Sequence, residues 1–164
     1  MAPGMRPKTC ILTVSDRAYH GERADESGPL LERVLSQAGF DVTGIEVVPD
    51  NREQIIDFLL SAVGEAHDLI VTTGGTGLGP RDLTPQATQA VLDYEVPGLA
   101  ETMRQQGLMT TPAAALSRSV VGVRGRTLIV NLPGSPSAAR ESLDAILGVL
   151  PHALDLLRGE TEHP

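Results

Sequence analysis

Along the chain, short continuous apolar runs alternate with longer stretches whose apolar residues recur at helical spacing. That alternation predicts strands buried beneath helices, and three strand-then-helix units in a row predict parallel strands joined by right-handed crossovers. Residues 9–14 form the first run, which stops at the polar pair Ser15 and Asp16. The polar stretch 16–28 reads as a long loop, and loops of that length in compact domains are usually functional or disordered. Ser27 is expected to cap a helix over residues 29–38, with Leu30, Leu31, Val34 and Leu35 on one face and Gly39 as its stop. A second strand follows over residues 42–48. Asn51 and Gln54 resemble a capping box ahead of a helix that turns Ile55, Ile56, Leu59, Leu60 and Val63 inward and closes at Gly64.

Leu69 to Thr73 is the third strand, and Gly74-Gly75-Thr76-Gly77-Leu78-Gly79-Pro80-Arg81-Asp82 after it is too rich in glycine for regular structure. Thr84 and Pro85 are expected as cap and first residue of a helix reaching about Leu92, and Pro97 as the opening of another to about Gln106. Residues 120–123 and 127–130 flank Arg124-Gly125-Arg126 and read as an antiparallel hairpin. Ser135 and Pro136 start a helix carrying Leu143, Ile146 and Leu147, and Pro151 starts a last one ending near Arg158. The expected fold is α/β, a single domain over residues 9–158 between terminal tails at 1–8 and 159–164.

A length of 164 residues with 41% hydrophobic content suits one domain with a proper core. Aromatics are only 2%, with no Trp, so the core must be made of Leu, Ile, Val and Ala, which favours α/β over an all-β sandwich. A net charge of −8 leaves no global positive field for nucleic acid, so any anionic ligand has to be held locally. The single cysteine, Cys10, can form neither an internal disulfide nor a zinc cluster, which fits a reducing, cytoplasmic setting. Residues 1–8 lack the apolar stretch of a signal peptide, and no uncharged apolar run approaches the roughly 18 to 20 residues of a membrane span.

The glycine segment carries the strongest chemical signal. Residues without Cβ let backbone N–H groups approach a phosphate or carboxylate closely. It is not a P-loop, because Pro80 and Arg81 stand where Lys and Ser or Thr are required. Nor is it a dinucleotide fingerprint, since the last glycine of that motif would fall on Pro80. Asp82 follows the loop, where a carboxylate would repel phosphate unless a divalent cation, most economically magnesium, lies between them. Asp50 follows the second strand, so both acids can converge at the carboxyl edge of a parallel sheet. Either acid alone is equally well explained as a favourable charge at a helix N-terminus. Asn131-Leu132-Pro133-Gly134-Ser135-Pro136 is a second anion-ready turn from strand to capped helix. The histidines show no metal-ligand spacing, and a serine-hydrolase elbow is absent.

Three groups of residues, in this order, closely resemble the MogA/MoaB molybdopterin-binding family from about Lys8 to Leu157. They are Thr13-Val14-Ser15-Asp16 with Gly21, Asp25, Ser27 and Gly28; Thr73 to Gly77 with Arg81-Asp82-Leu83-Thr84-Pro85; and Asn131 to Pro136. The resemblance implies a three-layer α/β/α domain with a mostly parallel sheet, assembled as a homotrimer. It also implies Mg2+, ATP and molybdopterin as ligands, with the pterin's terminal phosphate displacing pyrophosphate to give adenylylated molybdopterin, and a molybdenum insertase as a downstream partner. Carried over by position, Asp50 and Asp82 are the essential acids and the candidate magnesium ligands. Gly74, Gly75, Thr76 and Gly77, with Asn131, Pro133, Gly134 and Ser135, would hold phosphate and pterin groups. Ser15, Ser27, Gly28, Ser117 and Arg118 would line the pocket, and Arg81 or Arg118 would stabilise charge on the migrating adenylyl group. The alternative within the family is a MoaB-type pterin binder or trimeric scaffold with little or no adenylyl transfer; retention of Arg81-Asp82-x-Thr84-Pro85 favours the active form.

Overall fold

In the computed structural model, which describes residues 4–160, the strands are β1 (Lys8–Val14), β2 (Asp41–Val48), β3 (Leu69–Thr73), β4 (Tyr94–Glu95), β5 (Val121–Arg124) and β6 (Thr127–Leu132). They form one sheet in the order β2-β1-β3-β6-β5-β4. The first four in that order are parallel, whereas β5 runs antiparallel to both β6 and β4. Strand alternation sends Ile11, Leu69, Val71, Leu128, Val130 and Leu132 to one face, against α2 (Ser27–Gln37), α5 (Pro97–Leu108), α6 (Pro136–Leu147) and α7 (Leu150–Leu157). Cys10, Leu12, Val14, Ile70 and Ile129 face the other way, onto α3 (Arg52–Gly64) and α4 (Thr84–Val91). The result is the expected three-layer α/β/α arrangement. Burying a side chain such as Ile11 or Ile70 on each face contributes about 1.5 to 3 kcal/mol.

Several local expectations are corrected. The stretch 16–28, expected as a loop, contains a short helix, α1 (Asp16–Tyr19), which Ser15 caps by accepting a hydrogen bond from the Ala18 amide. Ser27 is no cap: its hydroxyl donates to the Gly134 carbonyl, and Asp25 accepts from the Gly28 amide instead. Thr84 likewise does not cap α4 but donates its hydroxyl to the Gly74 carbonyl. Asn51 caps α3 through the Gln54 amide as expected. The two-residue β4 and a 3-10 turn, Pro112–Leu116, were not signalled, being too short to show a period. At the amino end, β1 begins at Lys8, Pro7 is buried, and its carbonyl accepts from the Asp41 amide at 2.9 Å. Residues 1–3 and 161–164 of the expected tails lie outside the described residues. Among the described residues, no helix is long and apolar enough to cross a membrane.

Candidate functional site

The four parallel strands end side by side, with Val14 level with Val48, Thr13 with Thr73, and Thr73 with Leu132. From β1 the chain crosses one way to β2, while after β3 it proceeds the other way toward β6. The crevice between the ends of β1 and β3 is therefore the switch point at which open α/β sheets take their ligands. A hollow of about 530 Å³ opens there, lined by Ser15, Asp16, Asp25, Ser27, Asp50, Gly74, Gly75, Asp82, Gly134 and Ser135 among others.

Its floor has to be glycine. Gly74 has a φ of 102°, and a Cβ on it would lie 2.2 Å from the Val14 carbonyl oxygen. Gly75 has a φ of 70°, and its Cβ would strike Thr84 Oγ1 at 2.3 Å. The first turn of α4 pins both glycines, because the Thr84 hydroxyl donates to Gly74 O at 2.9 Å and the Thr84 amide to Gly75 O at 3.1 Å. Across the hollow, Ser135 accepts from the Ala138 amide at 3.2 Å and so sets the N-terminus of the 12-residue α6 at the rim. The positive end of that helix dipole favours an anion.

The acids are tightly organised. Asp50 Oδ2 accepts from the Asp16 amide at 3.0 Å, and Asp16 Oδ1 accepts from the Asp50 amide at 2.9 Å. This reciprocal pair fixes the chain after β2 against the chain after β1. Arg81 forks onto the Asp16 carboxylate at 2.6 and 3.0 Å and donates to the Asp50 carbonyl at 3.3 Å. The Arg81 hydrogen bonds, helped by the Asp50 amide, pull Asp16 down to about 2. Asp50 is pushed the opposite way, first by burial and then by the negative charges of Asp16 and Asp82. Asp82 Oδ2 accepts from the Gly79 amide at 2.8 Å. The hollow's lining thus carries five acidic side chains, Asp16, Asp25, Glu26, Asp50 and Asp82, against the guanidinium groups of Arg17 and Arg23, with Arg81 bound to Asp16.

Not every expected residue reaches this hollow. Thr76, Gly77, Ser117 and Pro133 line a separate, mostly apolar hollow of about 290 Å³ with Met103, Ala114 and Leu116, so the glycine loop serves one cavity with each half. Asn131 is a correction: it is fully buried, its amide nitrogen donates to Thr72 and Thr88 hydroxyls at 3.0 Å, and its oxygen accepts from the Val120 amide. Those bonds use it to join β6 to β3 and α4 and leave it away from either hollow. Gly28 is buried too and meets Asp25, whose Oδ2 would be 2.3 Å from an added Cβ. Arg81 and Arg118 are both engaged with protein atoms rather than free for a ligand. Asp16, Asp25, Arg17 and Arg23 line the main hollow without having been assigned a role. The signal for Asp16 was available, since it follows a parallel strand just as Asp50 does.

Fold and hollow together define an open α/β protein with a polar ligand crevice at the carboxyl edge of its parallel strands. The model of a family described as a probable molybdopterin binding domain matches residues 10–152. The chain is 41% identical, over 91% of its length and 86% of the relative's, to a molybdopterin adenylyltransferase of Helicobacter pylori. It is 38% identical to the molybdopterin adenylyltransferase of Escherichia coli over 91% of this chain and 84% of that one. A crystal structure described as the molybdopterin biosynthesis enzyme MoaB of Thermus thermophilus superposes with a TM-score of 0.87 at 58% identity, covering 93% of this chain and 96% of that one. The chain belongs to the molybdopterin-binding family.

Proposed function

We propose that this chain is a molybdopterin adenylyltransferase that works in molybdenum cofactor biosynthesis, joining the adenylyl group of ATP to the terminal phosphate of molybdopterin with release of pyrophosphate. The observation that carries the proposal is the meeting of Asp50 and Asp82 over the Gly74-Gly75 floor in one hollow; the names of the relatives supply the reaction. Transfer of this kind needs positioning and charge neutralisation, not a covalent catalyst. The Gly74 amide donates to the Leu132 carbonyl at 3.1 Å, so phosphate oxygens would fall to the Gly75 amide and the start of α6. Magnesium fits the donor set: two carboxylates sit where burial and neighbouring acids already burden Asp50, and oxygen ligands suit that ion. Among the described residues no group of three or more His, Cys, Asp or Glu could hold a metal, so the ion would arrive with the nucleotide, held by Asp50 and Asp82. Bound there, it would neutralise phosphate charge.

The polar hollow would take the triphosphate, and the expected homotrimer would bury exposed apolar side chains such as Leu108, Met109 and Leu116. A downstream molybdenum insertase is the proposed recipient of the product, in keeping with a Chlorobaculum tepidum relative, a molybdenum cofactor biosynthesis bifunctional protein, of which the matching segment is 49%. The buried, unpaired Cys10 supports a cytoplasmic location. The test is to incubate the purified chain with molybdopterin and magnesium ATP and to seek the adenylylated pterin by mass. Its formation is expected. Tight pterin binding with no such product would instead establish the MoaB-type reading.

A further inference from the structure

We propose that Arg118 is a positioning residue that holds Asp82 in place for the transfer reaction, and not a cation that touches substrate; its kinetic part rests on the function proposed above. The segment from Gly77 to Asp82 closes on itself around the Asp82 carboxylate. Gly79 N–H donates to Oδ2 at 2.8 Å, the Asp82 amide donates to Gly79 O at 3.0 Å, and a Cβ at Gly77 or Gly79 would come within 2.9 or 2.7 Å of the same oxygen. Arg118 straps both ends of this cradle. Its Nε donates to Gly77 O at 2.8 Å, its Nη2 to Asp82 O at 2.7 Å, and its own amide to Thr76 O at 3.0 Å. Among the described residues, no acidic side chain forms an ion pair with Arg118, so backbone carbonyls are the acceptors that hold the guanidinium. The strap is itself anchored, because Arg104 of α5 donates to the carbonyls of Ser117 and Ser119 at 3.4 and 3.1 Å. A lysine cannot reproduce the two-pronged contact, since it offers a point charge in place of a planar fork.

Two measurements decide the matter. Amide hydrogen exchange reads the cradle directly and does not depend on the reaction. In Arg118→Gln and Arg118→Lys, the Gly79 amide is expected to exchange about tenfold faster or more, with the core strands unchanged. Unaltered Gly79 exchange in both variants would overturn the proposal. Kinetics then separates positioning from substrate contact. The expected result is a fall in kcat with KM for ATP and for the pterin unchanged, and no further fall when Arg118→Gln is added to Asp82→Asn, because the two act through one carboxylate. A raised KM with intact kcat, or full additivity with Asp82→Asn, would overturn it. If the wild-type protein releases no pyrophosphate, the functional reading fails while the exchange experiment still judges the strap.

Discussion

At the scale of single residues, the site is built from charges that the fold sets against one another. Asp16 and Asp50 each accept from the other's backbone amide, yet their carboxyl groups shift in opposite directions: burial pushes Asp50 up, whereas the Arg81 fork pulls Asp16 down. Asp16, with its folded value lowered to about 2, lends stability above the ordinary carboxylate range, and this is lost as pH falls through about 2. For Asp50 the sign reverses. Its raised folded value makes the half-buried carboxyl group stabilising only when protonated, so the benefit present below about pH 3.9 disappears as pH rises through the folded value. Asp50→Asn, which can still accept from the Asp16 amide, is therefore expected to melt at or above the wild-type temperature near pH 7. The advantage should narrow as the pH approaches about 4. Thermal melts across that range check it, and a variant clearly less stable at neutral pH would contradict the assignment of burial as the dominant cause.

At the scale of elements, hydroxyl groups ahead of helices show how far a local pattern reaches. Ser27 and Thr84 carry the composition of caps, but each donates to a distant carbonyl, Gly134 and Gly74 respectively, and those tertiary partners cannot be seen from neighbouring residues. Asn51 and Ser135, by contrast, bond to amides three residues on, and both were legible. Apolar runs exposed β1, β3 and β6 because these strands are buried on both faces; β4 has two exposed residues and no such mark. The turn after β6 was legible as an anion-ready helix start, but Asn131 was misread, since a polar residue at a strand end looks the same whether it faces a ligand or joins elements. Asn131→Ala leaves the Val120 amide without its side-chain acceptor and Thr72 and Thr88 without their donor. The expected cost is about 1 to 3 kcal/mol in denaturant unfolding, with turnover per folded molecule retained. A stable variant that loses pterin affinity would return Asn131 to the binding site.

At the scale of the whole molecule, the alternation of strands and helices predicted a parallel α/β sheet, and the edge on which Asp50 and Asp82 meet followed from that. What the alternation could not supply is strand order, and it is the order β2-β1-β3-β6 that puts the switch point between Ser15 and Gly74 and draws Asp16 into the site. It also could not divide the glycine loop between two hollows, because that depends on how α5 and the 3-10 turn fold over Thr76 and Gly77. Light scattering on the 17.3 kDa chain is expected to give about three times that mass, as apolar side chains such as the 80%-exposed Met109 are covered; a monomer at working concentration would refute the trimer. The central claim is that Asp50 and Asp82 act together over the glycine floor. Its most direct measurement is pyrophosphate release from magnesium ATP with molybdopterin present, in wild type, Asp50→Asn and Asp82→Asn of matched circular dichroism. Each substitution should slow release by about 100-fold or more while the fold persists; release at the wild-type rate from either variant would contradict the claim.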